Sequence, residues 1–455
     1  MEFTEQTPIN LPDDFIKMLK NDLGDIKCSE VISDMSQEPS ISIRINRFKI
    51  PEGNESILEH LNISHRVEHC PNGYFLSKRP SFTLDPLFHC GAYYVQDASS
   101  MIVEKLSDFI PNDSKDLKCL DLCAAPGGKS THLLSLLDRY ENSLLICNEV
   151  INSRASILSE NISKWGYPNV CITNNDPADF KTIQDYFNVV LVDAPCSGEG
   201  MFRKDEGAIA QWSLENVNLC AQRQRRIVAD IWPSLRAGGL MAYSTCTLNR
   251  IENEENVEWI CSELGGETLF TWRGYPGGKN AGEGLFFAII RKRGELTNEI
   301  KRIGGKNESL PKSLSKVKIN CDFICEGFSL YRKNDILKAY PQTLKNEMFA
   351  IESRLRVILS GVAAGEIIDS KKGEPVIIPH TDLVQNIAYK KGAIPQFEIT
   401  PQEAIDFLKK LPISLKDAPK GYILLTFKNI PLGLVKNIGN RTNNLWPSSR
   451  RIRNF

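Results

Sequence analysis

Three patterns of apolar and polar residues follow one another along the chain. In the first, a helical apolar period covers Leu11–Lys20, and alternation over Ser40–Asn46 indicates a half-buried strand. Pro71–Gly73 lies within a further strand-like stretch and predicts the turn of a hairpin. Residues 1–98 are therefore predicted to form a small α+β domain.

The second pattern, over residues 99–294, repeats strand, turn and helix. Such a repeat predicts a parallel sheet with helices on both faces, and therefore an α/β domain. The apolar runs are centred near Leu120, Leu145, Val170, Leu191 and Leu240, and helices are expected at 131–137, 154–165 and 222–235. The polar stretch that follows, 295–318, contains many lysines and is predicted to be a linker.

The third pattern covers residues 319–455. Thr400 and Glu403 have the spacing of a capping box at the start of a helix. The strand-like run Gly421–Phe427 is followed by a hairpin partner at Pro431–Val435. This region is therefore predicted to end in a β-rich unit.

Composition narrows the possible classes of protein. A length of 455 residues predicts two or three domains, and a net charge of −1 restricts any nucleic-acid binding to local patches. The thirteen cysteines lack metal-ligand spacing, so no metal site is expected and the thiols are predicted to be free. No signal peptide or apolar stretch of bilayer length is seen, which predicts a soluble, cytoplasmic protein.

A glycine-bearing turn, Cys123–Lys129, follows the first strand of the predicted sheet. It lacks the GxGxxG spacing of a dinucleotide-binding loop. It is close to a phosphate-binding P-loop, but Cys123 stands where the first glycine should be and Pro126 removes a backbone amide. The third interpretation is S-adenosylmethionine, which has no phosphate and needs only the close backbone approach that Ala124, Ala125, Gly127 and Gly128 permit.

Two carboxylates follow the next two strands. Glu149 is suited to gripping ribose hydroxyls, and Asp176 lies where an adenine would be expected. Each could instead be a solvated cap. Their register after successive strands favours binding.

Two cysteines, Cys196 and Cys246, lie in loops just past apolar runs. A thiolate that adds to C6 of cytosine makes the unreactive C5 nucleophilic, and a nearby carboxyl group such as Asp193 can hold the base. Because ligands bind at the carboxyl edge of an open α/β sheet, these three side chains are expected to meet there. Buried structural cysteines are the alternative, but the loop positions argue against it.

These residues resemble the Sun/Nop family of RNA (cytosine-5) methyltransferases over nearly the whole chain. Within the family the chain is most similar to the bacterial YebU/RsmF branch, which modifies 16S ribosomal RNA. The motifs that carry the resemblance are Cys123–Lys129, Asp193–Asp205, Ser244–Leu248 with Glu252–Glu254, Tyr94–Asp97 and Glu283–Phe287. The resemblance implies a Rossmann-like S-adenosylmethionine methyltransferase core.

The resemblance also implies roles for single residues. Cys246 would be the nucleophile, Cys196 would help to release the product by β-elimination, and Asp193 would contact the cytosine close to the cofactor. Glu149 and Asp176 would hold the ribose and the adenine. The cofactor loop would comprise Cys123, Ala124, Ala125, Pro126, Gly127, Gly128 and Lys129, with Lys129 ordering the site.

The end of the chain resembles the PUA-type barrel of such enzymes, over about 386–455. From Lys420 onward it is basic and has no acidic residue, and Trp446 is suited to base stacking. A solvated terminal face is the alternative interpretation. RNA contacts are expected from this region and from the N-terminal domain, with no DNA or membrane partner, and the chain is expected to be a monomer.

The sequence thus predicts methylation of cytosine C5 in RNA, with 16S ribosomal RNA as the expected substrate. The target base should be flipped out or single-stranded, because attack at C6 requires access to the base face. Alternatives are the same chemistry on transfer RNA, an RNA-binding assembly factor without turnover, and a P-loop ATPase.

Overall fold

The computed structural model describes residues 9–277, 282–295, 303, 309–317, 319, 321–370, 375–416 and 418–453. Strands within these ranges form four sheets, of which the largest has eight strands. None of the helices in this described part is long and apolar enough to cross a bilayer. Much of the predicted linker, 295–318, lies outside the described residues.

The N-terminal part consists of helices and a four-stranded antiparallel sheet. The helices and strands are α1 (Asp13–Leu23), α2 (Asp25–Met35), β1 (Ile41–Ile45), β2 (Ile63–Val67), β3 (Cys70–Leu76), α3 (Pro86–His89) and β4 (Tyr93–Val95). The sheet order is β2-β3-β1-β4. The predicted α+β character and the strand near Ser40–Asn46 are confirmed.

The position predicted for the hairpin turn is wrong. The register pairs Val67 with Cys70, so the turn comes directly after β2, and Pro71–Gly73 lies inside β3. Gly73 is explained by packing: a Cβ at this position would lie 2.4 Å from the Sδ of Met101. Close packing against Met101 and Val67, and no turn, therefore accounts for the glycine.

The central region contains strands alternating with helices, as predicted. Its elements are β5 (Lys118–Asp121), α4 (Gly128–Leu137), β6 (Leu144–Asn148), α5 (Asn152–Trp165), β7 (Val170–Thr173), β8 (Phe187–Asp193), α6 (Glu206–Gln211), α7 (Leu214–Ile231), β9 (Leu235–Thr245), α8 (Glu254–Glu263), β10 (Gly266–Gly274) and β11 (Leu285–Lys292). Strands β5 to β9 are parallel, and β10 and β11 add antiparallel at one edge. The Rossmann-like order β10-β11-β9-β8-β5-β6-β7 places the ends of β5, β6, β8 and β9 side by side.

Helix α7 begins earlier than the predicted 222–235. Ser213 caps it by accepting a hydrogen bond from the backbone N–H of Asn216 (3.1 Å), and the α-helix ends at Ile231, just before Pro233. A serine N-cap and a proline in the following turn are both common helix boundaries. The polar stretch after Ser213 belongs to the exposed face of the helix.

The first part of the C-terminal region is bound to the central sheet. Its elements are β12 (Ser315–Lys316), β13 (Phe328–Lys333), β14 (Ile336–Pro341), α9 (Lys345–Arg354), β15 (Val357–Ser360), β16 (Val362–Ile368), β17 (Val376–Pro379) and α10 (Thr381–Val384). Strand β15 pairs antiparallel with β7 and becomes the eighth strand of the large sheet. Met348 and Phe349 of α9 pack in the same core as Leu120 of β5. The predicted division after residue 294 therefore does not separate two hydrophobic cores.

The last sheet comprises β18 (Gln396–Glu398), β19 (Gly421–Phe427), β20 (Ile430–Asn437) and β21 (Thr442–Asn444). Helix α11 (Pro401–Leu408) follows β18 in the chain. The capping box is confirmed, since the Thr400 hydroxyl accepts from the Glu403 backbone N–H at 3.3 Å and the Glu403 carboxylate from that of Thr400 at 2.8 Å. The antiparallel pair of β19 and β20 is confirmed as well.

The expectation that Trp446 stacks on RNA is wrong. Its side chain is only 1% exposed, its ring centroid lies 5.6 Å from that of Phe407, and its indole N–H donates to the carbonyl of Arg450. Arg450 in turn pairs with Asp382 at 2.8 Å. The basic tail therefore packs back against the sheet, and Trp446 and Arg450 stabilise the C-terminal core.

Candidate active site

The loop after β5 approaches its neighbours closely. The backbone N–H of Ala124 donates to the carbonyl of Asn148 (2.8 Å), and the guanidinium of Arg154 donates to the carbonyl of Ala125 (2.9 Å). Gly127 caps α4 with a φ of 114°, a conformation that strongly favours glycine. The loop is therefore fixed at the carboxyl ends of β5 and β6.

A cavity of about 380 Å³ opens beside this loop. Its lining brings together predicted residues from five strand ends, namely Cys123, Ala125, Glu149, Asp176, Asp193, Cys196 and Cys246. A smaller chamber of about 160 Å³ adjoins it and shares the lining residues Cys123, Ala125 and Asp193. The smaller chamber is also lined by the predicted residues Ala124, Pro126, Gly128 and Lys129. Gly127 is not among the residues that line either space.

The two predicted carboxylates differ in their surroundings. Glu149 is 3% exposed, and its Oε1 accepts from the backbone N–H of Ile151 at 2.9 Å, which fixes the side chain at the cavity wall. The Asp176 side chain is 46% exposed and accepts from the backbone N–H of Ala178 at 3.0 Å as the cap of a short helix. Asp176 therefore caps a helix and also lines the cavity.

The two loop thiols are in direct contact. The Sγ atoms of Cys196, after β8, and Cys246, after β9, lie 3.2 Å apart. The hydrogen bond to Cys246, together with burial, raises the pKa of Cys196 well above its usual value. Cys196 is thus a protonated thiol that can donate to sulfur at Cys246.

Asp193 lies between the loop and the thiols. Its Oδ2 accepts from the Nζ of Lys129 at 2.8 Å and its Oδ1 from the hydroxyl of Ser244 at 2.6 Å. Burial alone would lower the pKa of Lys129, but Asp193 and the nearby Cys246 raise it overall. Lys129 is therefore a fixed cation that orients the Asp193 carboxylate.

A buried polar network beneath the two cysteine loops was not anticipated as part of the site. One carboxylate, Glu252, accepts from the Ser197 backbone N–H (3.0 Å) and from the side-chain amides of Gln224 (2.7 Å) and Asn249 (2.8 Å). Burial raises the pKa of Glu252, and hydrogen bonds from the side chains of Ser197, Asn249 and Gln224 offset part of that effect. The network ties the loop of Cys196 to the segment after Cys246.

A second carboxylate completes this support. Glu199 accepts from the backbone N–H groups of Leu248 and Asn249 at 2.8 and 3.0 Å, and from the indole of Trp212 at 2.9 Å. The next residue, Gly200, donates its backbone N–H to the carbonyl of Cys246 at 2.9 Å. The motif positions of Glu199 and Glu252 were the only signal of this role in the sequence.

Three possible metal ligands meet away from the cavity. Ligand atoms of Cys70, Glu104 and His132 lie within 4.8 Å of one another, and the His132 Nε2 is 2.7 Å from the Glu104 carboxylate. Burial raises the pKa of Cys70 to about 12 and lowers that of His132 to about 4, so the thiol stays protonated. The neighbouring Arg44 cation also lowers the pKa of His132. We assign no metal to this cluster.

Sheet and cavity together define a Rossmann-like methyltransferase. The fold is similar to a solved structure of NSun6 from Pyrococcus horikoshii with SFG (TM-score 0.54, 20% identity, 64% of this chain and 100% of that chain). It is also similar to a methyltransferase homologue from the same organism (TM-score 0.53, 24% identity, 62% and 96% of the two chains).

Family comparisons narrow this class. The chain matches the models for 16S rRNA methyltransferase RsmB/F over residues 110–274, the N-terminal domain of 16S rRNA methyltransferase RsmF over 11–98, and the RsmF PUA domain over 395–452. It is 28% identical to the ribosomal RNA small subunit methyltransferase F of Shewanella loihica, over 96% of this chain and 95% of the relative. The corresponding protein of Escherichia coli strain SE11 is 27% identical, over 97% of both chains. The chain belongs to the RsmB/F family of methyltransferases.

Proposed function

We propose that this chain methylates C5 of a cytosine in small-subunit ribosomal RNA, with S-adenosylmethionine as the methyl donor. The observation that carries the proposal is the contact of two thiols, 3.2 Å apart, at the wall of a cavity that also holds Asp193 and Glu149. The names and full-length similarity of the relatives support the substrate class.

The residues of the two spaces suit the proposed cofactor. Glu149 offers a fixed carboxylate for ribose hydroxyls, and the small residues of the loop permit close backbone approach. In the smaller chamber, the buried Oδ1 of Asp121 and Nε2 of Gln96 have no hydrogen-bond partner. The unpaired acceptor of Asp121 suits an ammonium group, and the unpaired donor of Gln96 suits a carboxylate. The amino-acid end of the proposed cofactor carries both groups. When bound, the cofactor supplies the equivalent of a methyl cation.

The proposed chemistry divides one difficult step into easier ones. The Cys246 thiolate adds to C6 of the cytosine, which gives C5 the reactivity of an enamine. Asp193, oriented by Lys129 and Ser244, holds the base. After C5 is methylated, a base or a water molecule takes the C5 proton, and the electron pair left at C5 breaks the bond between C6 and sulfur, which restores the aromatic ring and releases Cys246 as a thiolate. Cys196 lies next to the leaving sulfur and assists this elimination as a hydrogen-bond donor to it.

RNA is proposed to reach the cavity across basic surface. In the final sheet and the tail after it, the exposed basic side chains are Lys420, Lys428, Lys436, Arg441, Arg451 and Arg453. Phosphate contacts from such a face give sequence-independent affinity. The proposed limits along the chain are 1–98, 99–294, a linker at 295–318, and 319–455, with β15 of the last segment completing the central sheet.

Action as a monomer is also part of the proposal, and a ribosomal RNA substrate supports a cytoplasmic location. The test of the proposed function is bisulfite sequencing of 16S ribosomal and transfer RNA from a deletion strain. We expect one or more 16S cytosines to lose protection and to regain it with the wild-type gene but not with Cys246→Ala. Loss of protection in transfer RNA alone would contradict the proposed substrate.

A further inference from the structure

The smaller chamber is lined by two residues that each carry a buried polar atom without a hydrogen-bond partner. Gln96 is 5% exposed and Asp121 is fully buried, and both line the chamber. The Gln96 Nε2 is a donor without an acceptor, and the Asp121 Oδ1 is an acceptor without a donor. Buried polar groups are nearly always paired, so an unpaired donor and acceptor in one chamber point to a ligand that supplies both partners.

Arg44 determines which end of the Gln96 amide is left without a partner in the protein. The Arg44 Nε donates to the Gln96 Oε1 at 2.8 Å. Because a guanidinium has donors only, the amide must present its oxygen to Arg44 and keeps its NH₂ group for the other side. The orientation of this glutamine therefore follows from its partner.

Arg44 is itself held in a single position. Arg44 is 1% exposed, and its Nη2 donates to the hydroxyl of Thr131 at 2.7 Å. Its guanidinium lies 4.6 Å from the ring centroid of Trp165. Thr131 belongs to the first turns of α4, directly after the loop Cys123–Lys129. A residue of the N-terminal sheet is thereby joined to the cofactor loop and to Gln96.

We infer that Gln96 binds the carboxylate of the amino-acid end of the methyl donor through its side-chain NH₂, and that Arg44 is the positioning residue that fixes this orientation. The inference rests on the proposed function. In the same chamber, Asp121 offers the acceptor for the ammonium of that amino-acid end. The N-terminal region thus contributes directly to cofactor binding.

The test compares two ligands by isothermal titration calorimetry on the full chain. S-adenosylhomocysteine carries the amino-acid end, whereas 5′-methylthioadenosine lacks it. Gln96→Leu should weaken S-adenosylhomocysteine about tenfold or more, because a hydrogen bond to a charged group is lost, and should change 5′-methylthioadenosine less than about twofold.

Gln96→Glu sharpens the test. It keeps an acceptor for Arg44, so thermal denaturation should show a fold at least as stable as the wild type, but it replaces the chamber donor with an oxygen. Affinity for S-adenosylhomocysteine should therefore fall, while that for 5′-methylthioadenosine should not. Gln222→Glu, at an exposed position of α7, is the control for the added charge. Arg44→Lys should likewise weaken only S-adenosylhomocysteine, since lysine cannot hold the same fork of contacts.

Equal losses for both ligands, or no loss for either, in the Gln96 variants would overturn the inference while leaving the proposed cofactor intact. If the wild-type protein binds neither ligand, the proposed cofactor fails and the inference fails with it. Ligand-specific loss is the only result that supports it, because a general structural defect would weaken both ligands.

Discussion

Cys196 and Cys246 form the one thiol–thiol contact on which the proposed chemistry depends, with a distance of 3.2 Å between their Sγ atoms. Two sulfur atoms this close do not readily carry two negative charges. The pKa of Cys196 is raised by this contact and by burial, so Cys196 keeps its proton and can donate a hydrogen bond to the sulfur of Cys246.

Glu252→Gln should lower turnover about tenfold and destabilise the fold by about 1–3 kcal/mol. The carboxylate accepts hydrogen bonds from several donors, and an amide in its place turns one of its oxygens into a donor facing other donors. S-adenosylhomocysteine affinity should be retained, because Glu252 does not line the cavity. Steady-state kinetics and chemical denaturation measure the two effects.

Glu255→Gln is the matched control, since Glu255 lies close by in the first turn of α8 and is exposed, whereas Glu252 is buried just before that helix. Turnover of Glu252→Gln equal to that of this control would show that the network does not position the thiol loops.

Asp121→Asn should change how stability depends on pH. Burial raises the pKa of Asp121 from 3.8 to about 7. Between these values the folded protein keeps a proton that the unfolded chain has lost, so this group makes wild-type stability fall as pH rises, by up to about 1.4 kcal/mol per pH unit. Denaturation from pH 4.5 to 8 should show this fall relative to the variant. Exposed Asp113→Asn should run parallel to the wild type, and a parallel Asp121→Asn curve would contradict the prediction.

Neutralising Lys436 and Arg441 together should weaken RNA binding and flatten its salt dependence. Both side chains are exposed on or beside the final hairpin. Each lost phosphate contact should reduce the slope of log affinity against log salt by about 0.7 for single-stranded RNA. Fluorescence anisotropy at several salt concentrations measures the slope.

The control for this pair neutralises Lys17 and Lys115, which are exposed elsewhere; Lys115 lies at the amino end of β5, the edge opposite the cavity. Equal slopes for the two double variants would remove the final hairpin from the RNA interface. Point variants are preferable to truncation, because Phe407 and Trp446 share a core with Ile43 of β1.

The sequence was most informative where a feature depends on neighbouring residues in the chain. Apolar runs and loops predict β8 and β9 with a cysteine after each, and parallel pairing of these strands then brings Cys196 and Cys246 together. The capping box at Thr400 is equally local.

Features that depend on distant pairing were not predictable. Arg44 meets Gln96, 52 positions away, and Ser197 meets Glu252, 55 positions away, and no periodicity encodes either contact. Strand β15 joins the central sheet although it follows the predicted linker. The prediction that Trp446 stacks on RNA is wrong for the same reason. The sequence shows an aromatic residue in a basic tail, but only tertiary packing decides whether that residue is exposed.

The most direct test of the central claim is mass spectrometry of Cys196→Ala incubated with S-adenosylmethionine and the RNA substrate. With elimination impaired, we expect a covalent RNA adduct that survives denaturation, and digestion should locate the attached nucleotide on the peptide containing Cys246. The variant Cys196→Ala/Cys246→Ala should form no adduct. An adduct on another residue, or an adduct in Cys246→Ala but not in Cys196→Ala, would contradict the account.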